Sequence, residues 1–182
     1  MKEWLKIPVV AKFHEIIKKS NIKGNILSIG SSPQKKDILN LPYFQDNYSD
    51  FNLIGINISG QFGKFNHFSV MKANAHNIPF DDNYFDMVLC NAMLEHDPEF
   101  WKTIEEVNRV LGKGGWFVAN SPGYDRIESN IYDATYTYQI HGDDYYRFTK
   151  KSFKDVIFKG MCDIEVTSIM NPPRIIGYGR KI

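Results

Sequence analysis

The sequence predicts an α/β protein built on a mostly parallel sheet of seven strands, with helices on both faces. Strand-like apolar runs alternate with stretches of helical spacing, which is the order expected of a parallel sheet. The run 87–90 is apolar throughout, as suits a strand that is covered on both sides. Only a short connection separates the last two runs, 164–169 and 174–178, so one of them should be antiparallel.

The first elements follow in order along the chain. Pro8 fits the first turn of a helix, and one face of that helix is apolar through Val9, Val10, Phe13, Ile16 and Ile17. A polar, loosely helical stretch is expected at 34–44. Five strands are expected at 26–30, 53–57, 67–71, 87–90 and 116–119.

Two further helices complete the prediction. Asp97 followed by Pro98 is a typical helix start, and Gly112 should end that helix. Thr149 can cap the next helix, and Phe148 and Phe153 are spaced to form a hydrophobic staple across its first turn.

Composition limits the classes of protein that this chain can be. Its 182 residues fit one domain, 1–182, with an N-terminal helix in 1–22 and an α/β core in 25–182. The net charge of +1 provides no strong field for nucleic acid or anionic lipid, and no apolar run approaches a membrane span or a signal peptide. Cys90 and Cys162 are expected to be buried, reduced thiols of a cytoplasmic protein. The histidines show no metal-binding spacing, so no metal is expected.

The most specific sequence motifs of the chain are residues 73–80 (ANAHNIPF) and 85–96 (FDMVLCNAMLEH). Both resemble the central part of the class I S-adenosylmethionine-dependent methyltransferases, of the methyltransferase type 11 kind. The resemblance extends over roughly residues 25–180. It implies a Rossmann-like methyltransferase fold with seven strands, the last antiparallel, and S-adenosylmethionine as the cofactor.

The resemblance also implies which residues contact the cofactor: Ser28, Gly30, Ser31, Ser32, Asn57, Ile58, Asn74, Ala75, Asn91, Ala92 and His96. Three carboxylates that the family usually has are replaced, at Ser28, Asn57 and Asn74. Losing three charge-assisted bonds should cost about 2–3 kcal/mol, or roughly 30- to 150-fold in affinity. Two of these positions also have a structural interpretation: a plain strand-to-helix turn at Ser28, and an Asn57 that bonds its own backbone.

The segment around the fourth strand and the segment 141–149 contain the candidate catalytic groups. His96 could face the cofactor or cap a neighbouring helix, and Glu95 is expected to be a solvated acid or one that acts through a neighbour. The sequence of residues 141–149 (HGDDYYRFT) is similar to a motif of methyltransferase-like proteins, several of which act in glycan or cell-envelope pathways. Its composition suits proton removal from a hydroxyl group. His141 is the predicted base, positioned by Asp144 and Arg147, although those two could simply pair to hold the loop.

The sequence therefore predicts methyl transfer to an oxygen or nitrogen of a small-molecule or glycan acceptor. The alternative is a catalytically inactive scaffold or regulatory protein with this fold, which the replaced carboxylates favour. A nicotinamide dehydrogenase is disfavoured, because no Gly-x-Gly-x-x-Gly follows the first strand. The acceptor's identity and the oligomeric state stay open.

Overall fold

The structure is a computed structural model that describes residues 3–34, 37–126, 133–135, 144–169 and 173–182. The strands of its main sheet are β1 (Gly24–Ile29), β2 (Phe51–Asn57), β3 (Gly63–Phe65), β4 (Phe68–Lys72), β5 (Phe85–Asn91), β6 (Leu111–Pro122), β9 (Met161–Ile169) and β10 (Arg174–Lys181). Two short strands, β7 (Tyr124–Arg126) and β8 (Asp133–Thr135), pair antiparallel in a sheet of their own.

The main sheet has the order β3-β4-β2-β1-β5-β6-β10-β9. Neighbours from β4 to β6 pair in parallel, whereas β10 is antiparallel to both β6 and β9. The prediction of a mostly parallel sheet that contains a reversed strand near its end is confirmed. The count of seven is corrected to eight by β3, which pairs antiparallel with β4 at the edge. Because β3 has only three residues and is largely exposed, no apolar run marks it in the sequence.

The α-helices are α1 (Pro8–Ser20), α2 (Pro42–Asp46), α3 (Phe100–Val110) and α4 (Lys150–Ser152). Single 3₁₀ turns occupy Glu3–Lys6, Ile38–Asn40, Tyr48–Asp50 and Leu94–His96, and a π-helical turn, Phe153–Ile157, continues α4. Pro8 stands at the start of α1, as predicted, and Asn21 ends it in a left-handed conformation with φ of 51°.

The side chains of β5 alternate between two apolar clusters, one on each face of the sheet. Met87 and Leu89 belong to the cluster that contains the buried face of α1, and Val88 and Cys90 belong to the cluster that contains the buried face of α3. This period of two explains why the whole run reads as apolar: both faces of the strand are covered.

Two sequence expectations are corrected in the middle of the chain. Asp97 does not cap α3, which begins at Phe100 with Glu99 in the cap position. Cys90 is buried, as expected, and burial raises the pKa of its thiol. Cys162, in contrast, is exposed, because it lies on the edge strand β9, where much of one face meets solvent.

The start of α4 is confirmed in detail. Thr149 is the cap, and a reciprocal capping box joins it to Ser152. The rings of Phe148 and Phe153 lie 5.6 Å apart, as a hydrophobic staple requires. This arrangement fixes the direction in which residues 144–148 approach the carboxyl ends of the central strands.

Candidate active site

A cavity of about 440 Å³ opens at the carboxyl ends of β1, β2, β4 and β5. Its volume lies within the range of small-molecule and cofactor sites, and its position is the one where open α/β sheets bind ligands. Seven of the residues expected to contact a cofactor line it: Gly30, Asn57, Ile58, Asn74, Ala75, Ala92 and His96. The structure thus brings together positions from four separate loops of the sequence.

A smaller recess of about 120 Å³ adjoins this cavity and shares Ile29 and Gly30 with it. Three more of the expected residues, Ser28, Ser32 and Asn91, line the recess. Ser31 is buried and lines neither space. The recess also contains Asp37, which sequence reasoning did not single out.

Gly30 lines both the cavity and the recess. Its φ of 77° is a left-handed conformation that favours glycine, and an added Cβ would lie 3.0 Å from Cγ of Met93. The amides of Gly30 and Ser31 both donate to the carbonyl of Ile56, at 2.9 and 3.1 Å. The turn after β1 is therefore fixed to the end of β2 and keeps its backbone open to the cavity.

Asn57 joins the loops that follow β1, β2 and β4. Its Nδ2 donates to the carbonyl of Ser31 at 2.9 Å, its Oδ1 accepts from the amide of Ser59 at 3.4 Å, and its own carbonyl accepts from Ala73. The backbone-bonding interpretation thus describes part of what Asn57 does. An amide side chain still retains one N–H and one lone pair for a ligand, so its contact with a ribose stays a prediction.

Asn74 and His76 shape the wall that follows β4. The Oδ1 of Asn74 accepts from the amide of His76 at 2.9 Å, while Nε2 of His76 lies 2.9 and 3.0 Å from the two carboxylate oxygens of Asp97. Asp97 also accepts from the hydroxyl of Thr103 at 2.7 Å and from the amide of Glu99 at 3.0 Å. Asp97 therefore links the cavity wall to α3, which is its actual role in place of the predicted helix cap.

An ion pair on α3 holds the rest of this wall. Glu106 accepts from the amide of Ile78 at 2.7 Å, and Arg109 donates to the carbonyls of Ile78 and Phe80, each at 2.8 Å. The two side chains also bond each other, and Arg109 holds the pKa of Glu106 below its usual value. The residues after Ala75 thus have a fixed path, although the sequence does not indicate which helix supplies the clamp.

His96 also lines the cavity and is paired with an acid from the segment 141–149. Its Nδ1 lies 2.9 Å from Oδ1 of Asp144, whose carboxylate also pairs with Arg147. The pairing of Asp144 with Arg147 that the sequence offered as an alternative is present, and the sequence did not anticipate the contact of Asp144 with His96. His141, the predicted base, lies outside the described residues.

Glu95 is fully buried, which corrects the first of its two expected roles, that of a solvated acid; the role of acting through a neighbour stays a prediction. Its Oε2 accepts from the hydroxyl of Ser121 at 2.8 Å, and its Oε1 lies 3.9 Å from Nε2 of His96. Burial raises the pKa of the Glu95 carboxyl group. Its backbone carbonyl accepts from the amides of Tyr145 and Tyr146, so Glu95 anchors the segment that carries Asp144. Sequence reasoning missed Ser121, whose position at the end of β6 becomes informative only once the sheet order is known.

Two features are absent from the described ranges. No group of three or more potential metal-ligating side chains occurs there. None of the helices in the same ranges has the length and apolar character needed to cross a bilayer.

Comparison with known proteins shows partial similarity to methyltransferases. A family model described as a methyltransferase domain matches residues 39–119. The chain is 34% identical over 64 residues to the sterol 4-C-methyltransferase strm-1 of Caenorhabditis elegans, covering 35% of this chain and 18% of that protein. It is 33% identical over 87 residues to an uncharacterised protein of Methanocaldococcus jannaschii, covering 46% and 42%. The chain thus matches less than half the length of these curated relatives.

Solved structures share the fold over almost the whole chain. A SAM-dependent methyltransferase from Archaeoglobus fulgidus aligns with a TM-score of 0.72 and 17% identity over 96% of this chain and 93% of its own. The phosphoethanolamine N-methyltransferase 2 of Haemonchus contortus, in complex with S-adenosyl-L-methionine, aligns with a TM-score of 0.70 and 13% identity over 94% and 52%. The Rossmann-like fold inferred from the sequence is confirmed.

Proposed function

We propose that this chain is a class I S-adenosylmethionine-dependent methyltransferase that transfers a methyl group from S-adenosylmethionine to an oxygen or nitrogen nucleophile; the matched segment and the fold support this proposal. The observation that carries the proposal is the cavity at the carboxyl ends of the strands. Loops from four strands meet there, the turn at Gly30 leaves backbone accessible, and the paired His96 stands at one wall.

The residues of the cavity fit this cofactor. Ala73, Ala75 and Ala92 are small enough to leave room for a flat ring system, and the amides of Asn57 and Asn74 can bond ribose and adenine groups. Asn74 is exposed, so its amide group is accessible to a ligand. When bound, S-adenosylmethionine supplies an electrophilic methyl group. The chain's own contribution is to hold and orient the reactants and to exclude water.

His96 is the described residue best placed to take the proton that an acceptor loses. Asp144, whose Oδ1 lies 2.9 Å from Nδ1, can hold the imidazole in place, which leaves Nε2 for the acceptor. The neighbouring Glu95 and Arg147 fix the positions of these two groups. The earlier prediction of His141 as the base stays a competing proposal: unchanged turnover in a His141→Ala variant would rule it out.

The acceptor is proposed to be a small molecule or a glycan. Exposed aromatic side chains support this proposal: Tyr145 is 63% exposed beside Asp144, and Trp101 is 47% exposed on α3, close in sequence to the cavity-lining Pro98. Flat, partly apolar surfaces of this kind suit the rings of sugars and of other cyclic acceptors. Several relatives carry names that state small-molecule acceptors, among them a sterol and demethylmenaquinone.

A second candidate, an inactive scaffold of the same fold, is favoured by the three replaced carboxylates. Titration calorimetry with S-adenosylmethionine and S-adenosylhomocysteine separates the two. We expect dissociation constants in the micromolar range, because the neutral side chains weaken binding by about 2–3 kcal/mol without abolishing it. Absence of heat and of any thermal shift at millimolar ligand would favour the scaffold and contradict the proposed reaction.

A further inference from the structure

The recess beside Gly30 contains the carboxylate of Asp37. This position is not one of those at which the family usually has an acid. Asp37 lines the recess together with Ser28, the residue that replaces the usual acid of the first strand. The recess opens beside the same residues, Ile29 and Gly30, that line the main cavity. A negative charge is thus available next to the cofactor cavity, although it comes from a different element of the chain.

The structure holds this carboxylate firmly in place. Oδ2 of Asp37 accepts from the hydroxyl of Ser31 at 2.8 Å and from the amide of Ser32 at 2.7 Å, while Oδ1 accepts from the amide of Leu39 at 2.8 Å. These bonds leave one lone pair of Oδ1 for a further donor. Asp37 is therefore pre-oriented by the loop that it faces, at no further cost in side-chain entropy when a ligand arrives.

The charge of Asp37 lacks compensation within the described residues. Burial raises the pKa of its carboxyl group, and among those residues only hydrogen-bond donors counteract the effect, with no cationic side chain contributing. A partly buried carboxylate of this kind gains stability from a cation that enters the recess. The remaining polar side chains of the recess, such as Ser28 and Asn91, offer oxygens that can also accept from such a cation.

Gly55 on β2 makes this arrangement possible. An added Cβ at Gly55 would lie 2.3 Å from Oγ of Ser31. The absence of a side chain there leaves room for the Ser31 hydroxyl, which in turn bonds Asp37. The position of the carboxylate thus depends on packing between the loop after β1 and the neighbouring strand.

We propose that Asp37 binds the α-ammonium group of the methionine part of the cofactor, and so takes over the charge that Ser28 lacks. This inference rests on the proposed function, because it concerns the same cofactor. It predicts that the chain distinguishes ligands by their amino-acid tail through Asp37, while adenosine is bound by the loops after β2 and β4.

Three ligands test the proposal by calorimetry: S-adenosylmethionine, S-adenosylhomocysteine and 5′-methylthioadenosine. The last has the same adenosine and a thioether but no amino-acid tail. We expect Asp37→Asn to weaken the first two by roughly 5- to 10-fold, the difference between a charge-assisted and a neutral bond, and to leave 5′-methylthioadenosine unchanged. Asp37→Glu keeps the charge and should restore part of the preference for the ligands with tails.

The outcomes separate a binding role from a structural one. If Asp37→Asn weakens all three ligands equally, or lowers the melting temperature and the affinity for 5′-methylthioadenosine together, Asp37 only holds the loop and the proposal is overturned. Unchanged affinity for S-adenosylhomocysteine overturns it as well. If the unmodified chain binds none of the three ligands, the proposed function itself fails, which is a different result from any effect of the variant.

Discussion

A His96→Gln variant should lose about 10²- to 10⁴-fold in the rate of methyl transfer, the usual contribution of a general base. Glutamine has a similar length but cannot take a proton at neutral pH. The side chain beside Asp144 can then no longer remove the proton that the methyl acceptor loses. We expect the affinity for S-adenosylhomocysteine to change little. The measurement is the release of S-adenosylhomocysteine in single turnover, with an acceptor found by screening sugars and other small molecules.

A matched control for this variant is His67→Gln. His67 also bonds a neighbour, the carbonyl of Leu39 at 2.8 Å, but it does not line the cavity. We expect its transfer rate to remain near that of the unmodified chain. If His96→Gln retains full activity while His141→Ala loses it, the base is His141, and the role assigned here to His96 is wrong.

A Gly30→Val variant should bind the cofactor roughly 100-fold more weakly or worse, because the new side chain takes up space in the cavity. An added Cβ would lie 3.0 Å from Met93, and valine at a φ of 77° is strained by about 1–3 kcal/mol. The dissociation constant for S-adenosylhomocysteine and the free energy of unfolding are the two quantities to measure.

Gly160 supplies the comparison that separates backbone strain from blockage of the cavity. Its φ of 78° is almost that of Gly30, and an added Cβ there meets no atom within 4 Å. Gly160→Val should therefore lose comparable stability while it keeps its affinity for S-adenosylhomocysteine. If both variants bind the ligand as the unmodified chain does, the cavity beside Gly30 is not the cofactor site.

Most of the fold could be predicted from the sequence, because its helices and strands are marked by apolar runs, prolines and helix caps that act within a few residues of chain. The apolar run 87–90, the proline at position 8 and the Thr149 cap each have a physical effect within a few residues of chain, and each has the expected structure. The strand β3 escaped prediction because its pairing with β4, not its own composition, makes it a strand.

The candidate site was only partly predictable, since its contacts join distant parts of the chain. Ser121 and Glu95 are 26 residues apart, and His76 and Asp97 are 21 residues apart. Nothing in the local sequence shows that Asp144 should lie beside His96, or that Asp37 should face the recess at Gly30. The sequence indicates which loops meet, because the carboxyl ends of parallel strands share one edge, but the pairing of side chains depends on tertiary packing.

The most direct test of the central claim, that the cofactor is bound where the loops after β1, β2, β4 and β5 meet, is a crystal structure of the complex with S-adenosylhomocysteine. We expect the adenosine to lie against Asn57, Asn74 and Ala75, and the homocysteine part to pass Gly30 with its ammonium group towards Asp37. Ligand density away from this cavity, in crystals of a protein that binds the ligand in solution, would contradict the account.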